Sequence, residues 1–135
     1  MRAIMKAAKP PPKPSGRGPI LLVDDEPALL DAMQQGMAAE FDVETAKSAA
    51  EAEALIGARK YAVLISDHLL PGEAGLDFLV RMRELHPEIR RILLTGYMNP
   101  ELISRSVAVA ELAACLIKPV HAAEVAEAVR AALAR

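Results

Sequence analysis

Apolar and polar residues fall along this chain in blocks. Four short apolar runs each stop at a reactive polar residue. Ile20-Leu21-Leu22-Val23 stops at Asp24-Asp25, Ala62-Val63-Leu64-Ile65-Ser66 at Asp67, Ile92-Leu93-Leu94 at Thr95, and Cys115-Leu116-Ile117 at Lys118-Pro119. Runs of branched apolar residues predict strands buried on both faces, as in a parallel sheet. Between the runs the apolar spacing is helical, as at Leu29, Leu30, Met33 and Met37. The predicted order is strand 1 (19–24), helix 1 (27–39), strand 2 (42–46), helix 2 (48–57), strand 3 (62–66), helix 3 (75–86), strand 4 (91–95), helix 4 (100–111), strand 5 (113–117) and helix 5 (121–134). Pro27 suits a first helical turn, Ser48-Ala49-Ala50-Glu51 has the form of a capping box, and Pro71-Gly72 marks a turn. The stripe Ala122, Val125, Val129, Ala132 on helix 5 reads as core packing. Five βα units in a row give an α/β fold, a doubly wound five-stranded parallel sheet with right-handed crossovers.

In such a sheet all strand C-termini lie along one edge, where open α/β folds build their sites. Asp24, Asp25, Asp67, Thr95 and Lys118 then converge. Carboxylates held together stay ionised only with positive charge between them. Mg²⁺ fits, because it prefers hard oxygen ligands. Asp67 can share the metal and still present an oxygen as a nucleophile, since carboxylates form acyl phosphates. Lys118 and Thr95 supply an ammonium and a hydroxyl for the phosphoryl oxygens. Singly, each residue has a plainer reading: Asp24-Asp25 as a solvated turn, Thr95 as a helix cap, Lys118 as a surface lysine.

With 135 residues, 53% apolar and 25% charged, the chain fits one globular domain. The net charge of −2 hides an asymmetry. Residues 1–17 hold Arg2, Lys6, Lys9, Lys13 and Arg17 and no acid, leaving 11 basic and 18 acidic residues, a net of −7, in the rest. An acidic body without Trp does not read as a nucleic-acid binder. Pro10-Pro11-Pro12-Lys13-Pro14 denies the first 17 residues a helix, so a flexible, basic, Pro-rich tail is expected before a domain at 18–135. A docking peptide is the functional alternative for that tail. The lone Cys115 cannot form an internal disulfide and reads as a small core residue; a reducing cytoplasm is expected. No apolar run approaches the roughly 20 residues of a membrane span, and no second domain is expected after helix 5.

The motifs Leu22-Val23-Asp24-Asp25-Glu26-Pro27, Ser66-Asp67 with Pro71 and Gly75 beyond it, Leu94-Thr95-Gly96 and Lys118-Pro119 occur in order, each after its own strand. Over residues 19–134 the chain thereby resembles the receiver domains of two-component response regulators, in a single-domain, chemotaxis-Y-like form. The resemblance implies the (βα)5 flavodoxin-like fold and a phosphorylation-controlled switch rather than an enzyme in the usual sense. Asp67 would accept a phosphoryl group from a histidine kinase or a histidine phosphotransfer protein. Asp24, Asp25, Asp67 and the backbone carbonyl of Leu69 would hold Mg²⁺. Thr95 and Lys118 would contact the phosphoryl oxygens, and Lys118-Pro119 would be cis. The output surface would be helix 4, strand 5 and helix 5, which meets a downstream protein and admits a homodimer.

Two positions depart from the family pattern. Cys115 stands where an aromatic residue usually switches, and Tyr97 is the candidate substitute. His68 stands where an apolar residue follows the phosphoacceptor; strand alternation would point it away from Asp67. Leu69 and Tyr97 flank the phosphate entrance in the family, and their bulk predicts a long-lived phosphoryl state. A relay carrier, a pseudo-receiver interaction module and a small phosphatase using Asp67 remain as alternatives. The last lacks a general acid at Leu69.

Overall fold

The computed structural model describes residues 18–134; the predicted tail, 1–17, lies outside them. Ten elements alternate: β1 (Ile20–Val23), α1 (Pro27–Met37), β2 (Val43–Ala46), α2 (Ala49–Ala58), β3 (Val63–Asp67), α3 (Gly75–Leu85), β4 (Arg90–Thr95), α4 (Pro100–Ala110), β5 (Ala114–Ile117) and α5 (Ala122–Leu133). The five strands form one parallel sheet in the order β2-β1-β3-β4-β5. This is the doubly wound sheet that the apolar runs predict. After β3 the structure adds a two-residue antiparallel ladder, Leu69–Leu70 against Glu73–Ala74, turning at Gly72 with φ of 84°.

Strand alternation divides the core in two. Leu21, Val23, Leu64 and Leu93 face α2, α3 and α4, where Ala52, Ile56, Phe78, Leu79 and Met82 meet them. Ile20, Leu22, Val63, Ile65, Ile92 and Leu94 face α1 and α5 and pack on Leu30, Met33, Met37, Val125 and Val129. Each fully buried Leu, Ile or Phe side chain contributes about 1.5–3 kcal/mol. The central strands are thus buried on both faces. The edge strand β5 is only half-buried along its length, so Cys115 packs against the core from its margin.

Predicted and observed ends differ by a residue or two, each time for a local reason. α1 stops at Met37 because the amides of Glu40 and Phe41 both reach the Met37 carbonyl, and this turn brings Phe41 into the core at 2% exposure. At α2 the Ser48 hydroxyl accepts from the Glu51 amide at 3.1 Å. The Glu51 carboxylate closes back on the Lys47 amide, not on that of Ser48. His121 precedes α5 as its N-cap.

Two glycines make opposite predictions. A Cβ on Gly36 would lie 2.4 Å from Ala122 Cβ, where α1 meets α5, whereas one on Gly57 would meet nothing within 4 Å. Gly36→Ala is expected to cost about 1–3 kcal/mol by overpacking. Gly57→Ala is expected to add about 0.5–1 kcal/mol through helix propensity. Urea unfolding of the two variants checks both signs.

Candidate functional site

The sheet order places the chemistry. β1 leads to β2 on one side and β3 lies on its other side, so the strand order reverses between β1 and β3. That reversal opens a crevice at their C-terminal ends. Val23 pairs with Ser66, and Asp67 pairs with Leu94. Asp24 and Asp67 therefore emerge side by side, with Thr95 one strand further along. Asp24 is 0% exposed, Asp67 6% and Thr95 4%, while Asp25 is exposed. One carboxylate oxygen from each of Asp24, Asp25 and Asp67 can be chosen so that all lie within 4.8 Å of one another.

Lys118 enters from the end of β5. Its ammonium donates to Asp24 Oδ2 at 3.0 Å and lies 3.1 Å from Asp67 Oδ1. Its own amide donates to the Thr95 carbonyl at 2.7 Å, and the Lys118–Pro119 peptide is cis. Asp24 Oδ1 accepts from the Glu26 amide at 2.9 Å. Burial pushes the Asp24 carboxyl up, and the Lys118 and Glu26 donors oppose this without cancelling it. Burial would also lower the Lys118 ammonium, but its two carboxylate partners outweigh burial and hold it above the usual lysine range.

Gly75 seats Asp67. A Cβ there would come 1.8 Å from the Asp67 carbonyl oxygen, so only glycine lets α3 begin against the end of β3. The Gly75 amide donates to the His68 carbonyl at 2.8 Å, and the Ser66 hydroxyl donates to the Asp67 carbonyl at 2.9 Å. Thr95 does not cap α4; Asn99 does, accepting from the amides of Glu101 and Leu102. The Thr95 hydroxyl instead accepts from the Tyr97 amide at 3.1 Å. Beside it opens a cavity of about 300 Å³, lined by Leu69, Leu76, Thr95, Tyr97, Ile103 and Cys115 among others.

The structure thus gathers Asp24, Asp25, Asp67, Thr95 and Lys118 at one edge. Leu69 sits two residues past Asp67 in the short ladder, its side chain 65% exposed. His68 reverses its expectation. Its Nδ1 lies 3.3 Å from Asp67 Oδ1, and its ring meets Tyr97 edge-on with centroids 4.9 Å apart. Alternation fails here because the backbone turns out of β3 at this residue, its amide shared between the Leu94 carbonyl and Asp67 Oδ1. Strand periodicity ends at Asp67, so the departure from the family pattern marked His68 while alternation misjudged where its side chain goes.

Residues 20–130 match the family model described as the response regulator receiver domain. The hydrogenase transcriptional regulatory protein HoxA of Cupriavidus necator is 39% identical over 100 residues, covering 74% of this chain and 21% of that protein. The photosynthetic apparatus regulatory protein RegA of Cereibacter sphaeroides is 37% identical over 115 residues, covering 83% of this chain and 61% of that protein. The chain therefore spans about a fifth of one relative and three fifths of the other. Among solved structures, the signal receiver domain of an HD domain-containing protein from Pseudomonas fluorescens Pf-5 is similar with a TM-score of 0.79 at 32% identity, covering 90% of each chain. A CheY-like receiver domain protein from Methanospirillum hungatei JF-1 also gives 0.79, at 30% identity, covering 87% of this chain and 94% of that one. Among the described residues no helix is long and apolar enough to cross a membrane.

The raised Asp24 carboxyl makes a signed prediction. A folded-state value above the unfolded one means stability that is present at low pH and lost as pH rises through the folded value. With metal removed by chelator, Asp24→Asn is expected to raise the unfolding midpoint at pH 7. The gain should shrink as pH falls below the ordinary carboxylate range. Denaturant melts at several pH values in EDTA check this, and a loss of midpoint at pH 7 would contradict it.

Proposed function

Because the chain belongs to the response regulator receiver domain family, we propose that Asp67 is the phosphoacceptor of a two-component signalling switch. The observation that carries this is the convergence of Asp24, Asp67 and Lys118 within hydrogen-bond range, beside Thr95, at the reversal of strand order. The donor is a phosphohistidine on a histidine kinase or a phosphotransfer protein, in the cytoplasm.

Asp67 Oδ1 already accepts from the His68 amide and faces the Lys118 ammonium, so Oδ2 is the attacking oxygen. It bonds to phosphorus as the phosphorus–nitrogen bond breaks, and the electron pair leaves with the donor imidazole. Lys118 and the Thr95 hydroxyl stabilise the phosphoryl oxygens, on which charge is spread in the transition state. Three clustered carboxylate oxygens are a hard donor set that fits Mg²⁺. Asp24, Asp25 and Asp67, with the Leu69 carbonyl, would hold it. Bound there, the cation neutralises the charge gathered between the carboxylates and the phosphoryl group. Leu69 and Tyr97, 65% and 59% exposed at the rim, restrict the water that hydrolyses the adduct, which favours a long-lived phosphoryl state.

The output surface in this reading is α4, β5 and α5. The half-buried β5 and the exposed Leu102 and Val109 of α4 offer a partner apolar contact there. A pseudo-receiver interaction module is the second reading, given weight by Cys115 at the position where the family has an aromatic residue. It predicts a chain that binds Mg²⁺ and takes no phosphoryl group.

The test is phosphorylation by acetyl phosphate with Mg²⁺, read by intact mass. The wild-type chain is expected to gain one phosphoryl group, and Asp67→Asn none. EDTA should abolish the gain, and Thr95→Ala should slow it by roughly tenfold or more, the weight of a transition-state donor. An adduct of equal yield on Asp67→Asn would overturn the assignment.

A further inference from the structure

The residue after Asp67 carries a group that the reaction above does not use. His68 Nδ1 is buried and has no hydrogen-bond partner, a costly state for a polar nitrogen. It stands 3.3 Å from Asp67 Oδ1, so alignment rather than distance separates the two from a hydrogen bond. The backbone that carries the ring is held from several sides. The His68 amide donates to the Leu94 carbonyl at 2.8 Å and to Asp67 Oδ1 at 2.9 Å, and its carbonyl accepts from Gly75. The ring edge rests on Tyr97 at an interplanar angle of 69°. We assign the Nδ1–H tautomer from this geometry, because it sets a donor rather than a second acceptor against the carboxylate oxygen. The imidazole is thus a donor parked beside an oxygen whose charge changes during the reaction.

We propose that His68 is a further catalytic residue, a donor that stabilises the Asp67 carboxylate as it leaves phosphorus and so speeds loss of the phosphoryl group. This rests on the reading of Asp67 as phosphoacceptor. In hydrolysis a water oxygen attacks phosphorus, and the bond from phosphorus to Asp67 Oδ2 breaks. The electron pair of that bond returns to the carboxylate. One proton of the water passes to solvent, and inorganic phosphate departs. In the acyl phosphate Oδ1 is a weakly basic carbonyl oxygen; in the released carboxylate it carries half a negative charge. A donor on Oδ1 gains strength as the bond breaks, which is the condition for accelerating a step. The His68 amide and Lys118 ammonium already face Oδ1, and Nδ1 comes into line as a further donor when charge returns to that oxygen. It opposes the shielding by Leu69 and Tyr97: they limit the entry of water, and it lowers the barrier once water has entered.

Two variants separate the donor from the ring. His68→Phe keeps an aromatic edge for Tyr97 but has no N–H; His68→Asn returns an N–H without the ring. Each is loaded with acetyl phosphate and Mg²⁺, freed of donor, and followed by intact mass. His68→Phe is expected to slow decay roughly fivefold, the weight of one ordinary hydrogen bond. His68→Leu, a second variant without a donor, should match it. His68→Asn should stay within about twofold of wild type. Wild-type decay in His68→Phe, or equally slow decay in His68→Phe and His68→Asn, would overturn the proposal. A wild-type chain that takes no adduct would instead overturn the phosphoacceptor reading beneath it.

Discussion

The Lys118 ammonium between Asp24 and Asp67 is the contact on which the site depends. Two carboxylates at neighbouring strand ends, both almost wholly out of solvent, repel by about 4 kcal/mol at 4 Å in a medium of effective dielectric 20. The cation offsets this with one short contact to each. It does so across 94 residues of sequence and across the end of β4, since β5 is not a neighbour of β3. The long aliphatic stem of lysine makes that reach feasible. The amide of Lys118 on the Thr95 carbonyl fixes where the stem starts. One residue thus ties four of the five strand ends together at this edge of the sheet.

This explains why so much of the molecule was legible in the sequence. A strand buried on both faces can hold almost nothing polar along its length, so its first polar residue marks its end. The apolar runs therefore located the strands and, at their ends, Asp24, Asp67, Thr95 and Lys118 together. Parallel topology did the rest, because it collects those ends on one edge. β5 was the partial exception. As an edge strand it is only half-buried, and an apolar run does not reveal whether its strand lies at the centre or the edge.

What the sequence did not show lies outside those periodicities. Arg91 is a buried cation on β4 whose guanidinium donates to the carbonyls of Ile89 and Ala110 at 2.5 and 2.9 Å. It satisfies the open C-terminal end of α4, yet in the sequence it is one charge at the start of an apolar run. Gly75 was visible as part of a motif, but its reason, the Asp67 carbonyl 1.8 Å from where a Cβ would stand, exists only once α3 is docked. His68 sits one residue past the last alternating position, where a turn sends its side chain back toward the site. In each case the deciding partner is a backbone group, and sequence patterns carry side chains.

In the proposed switch, α4 is the helix least held by burial. α4 buries only Ser106 and Ala110. Its C-terminal end is clamped by Arg91 and by Arg83, which donates to the Val109 carbonyl and pairs with Glu111. Its N-terminal end lies over the apolar cavity beside Thr95, with small Cys115 on the far wall and Tyr97 at the rim. A hydroxyl has one hydrogen to give and two lone pairs. Thr95 can therefore donate toward a phosphoryl oxygen while still accepting from the Tyr97 amide. A pull on that hydroxyl reaches the segment leading into α4 through one hydrogen bond. Few buried apolar contacts resist it there, and low local burial is where proteins open first. In the proposed switch the sparsely buried end of α4 and the acidic edge of the sheet are thus joined at Thr95, with the arginine clamp holding the other end of that helix.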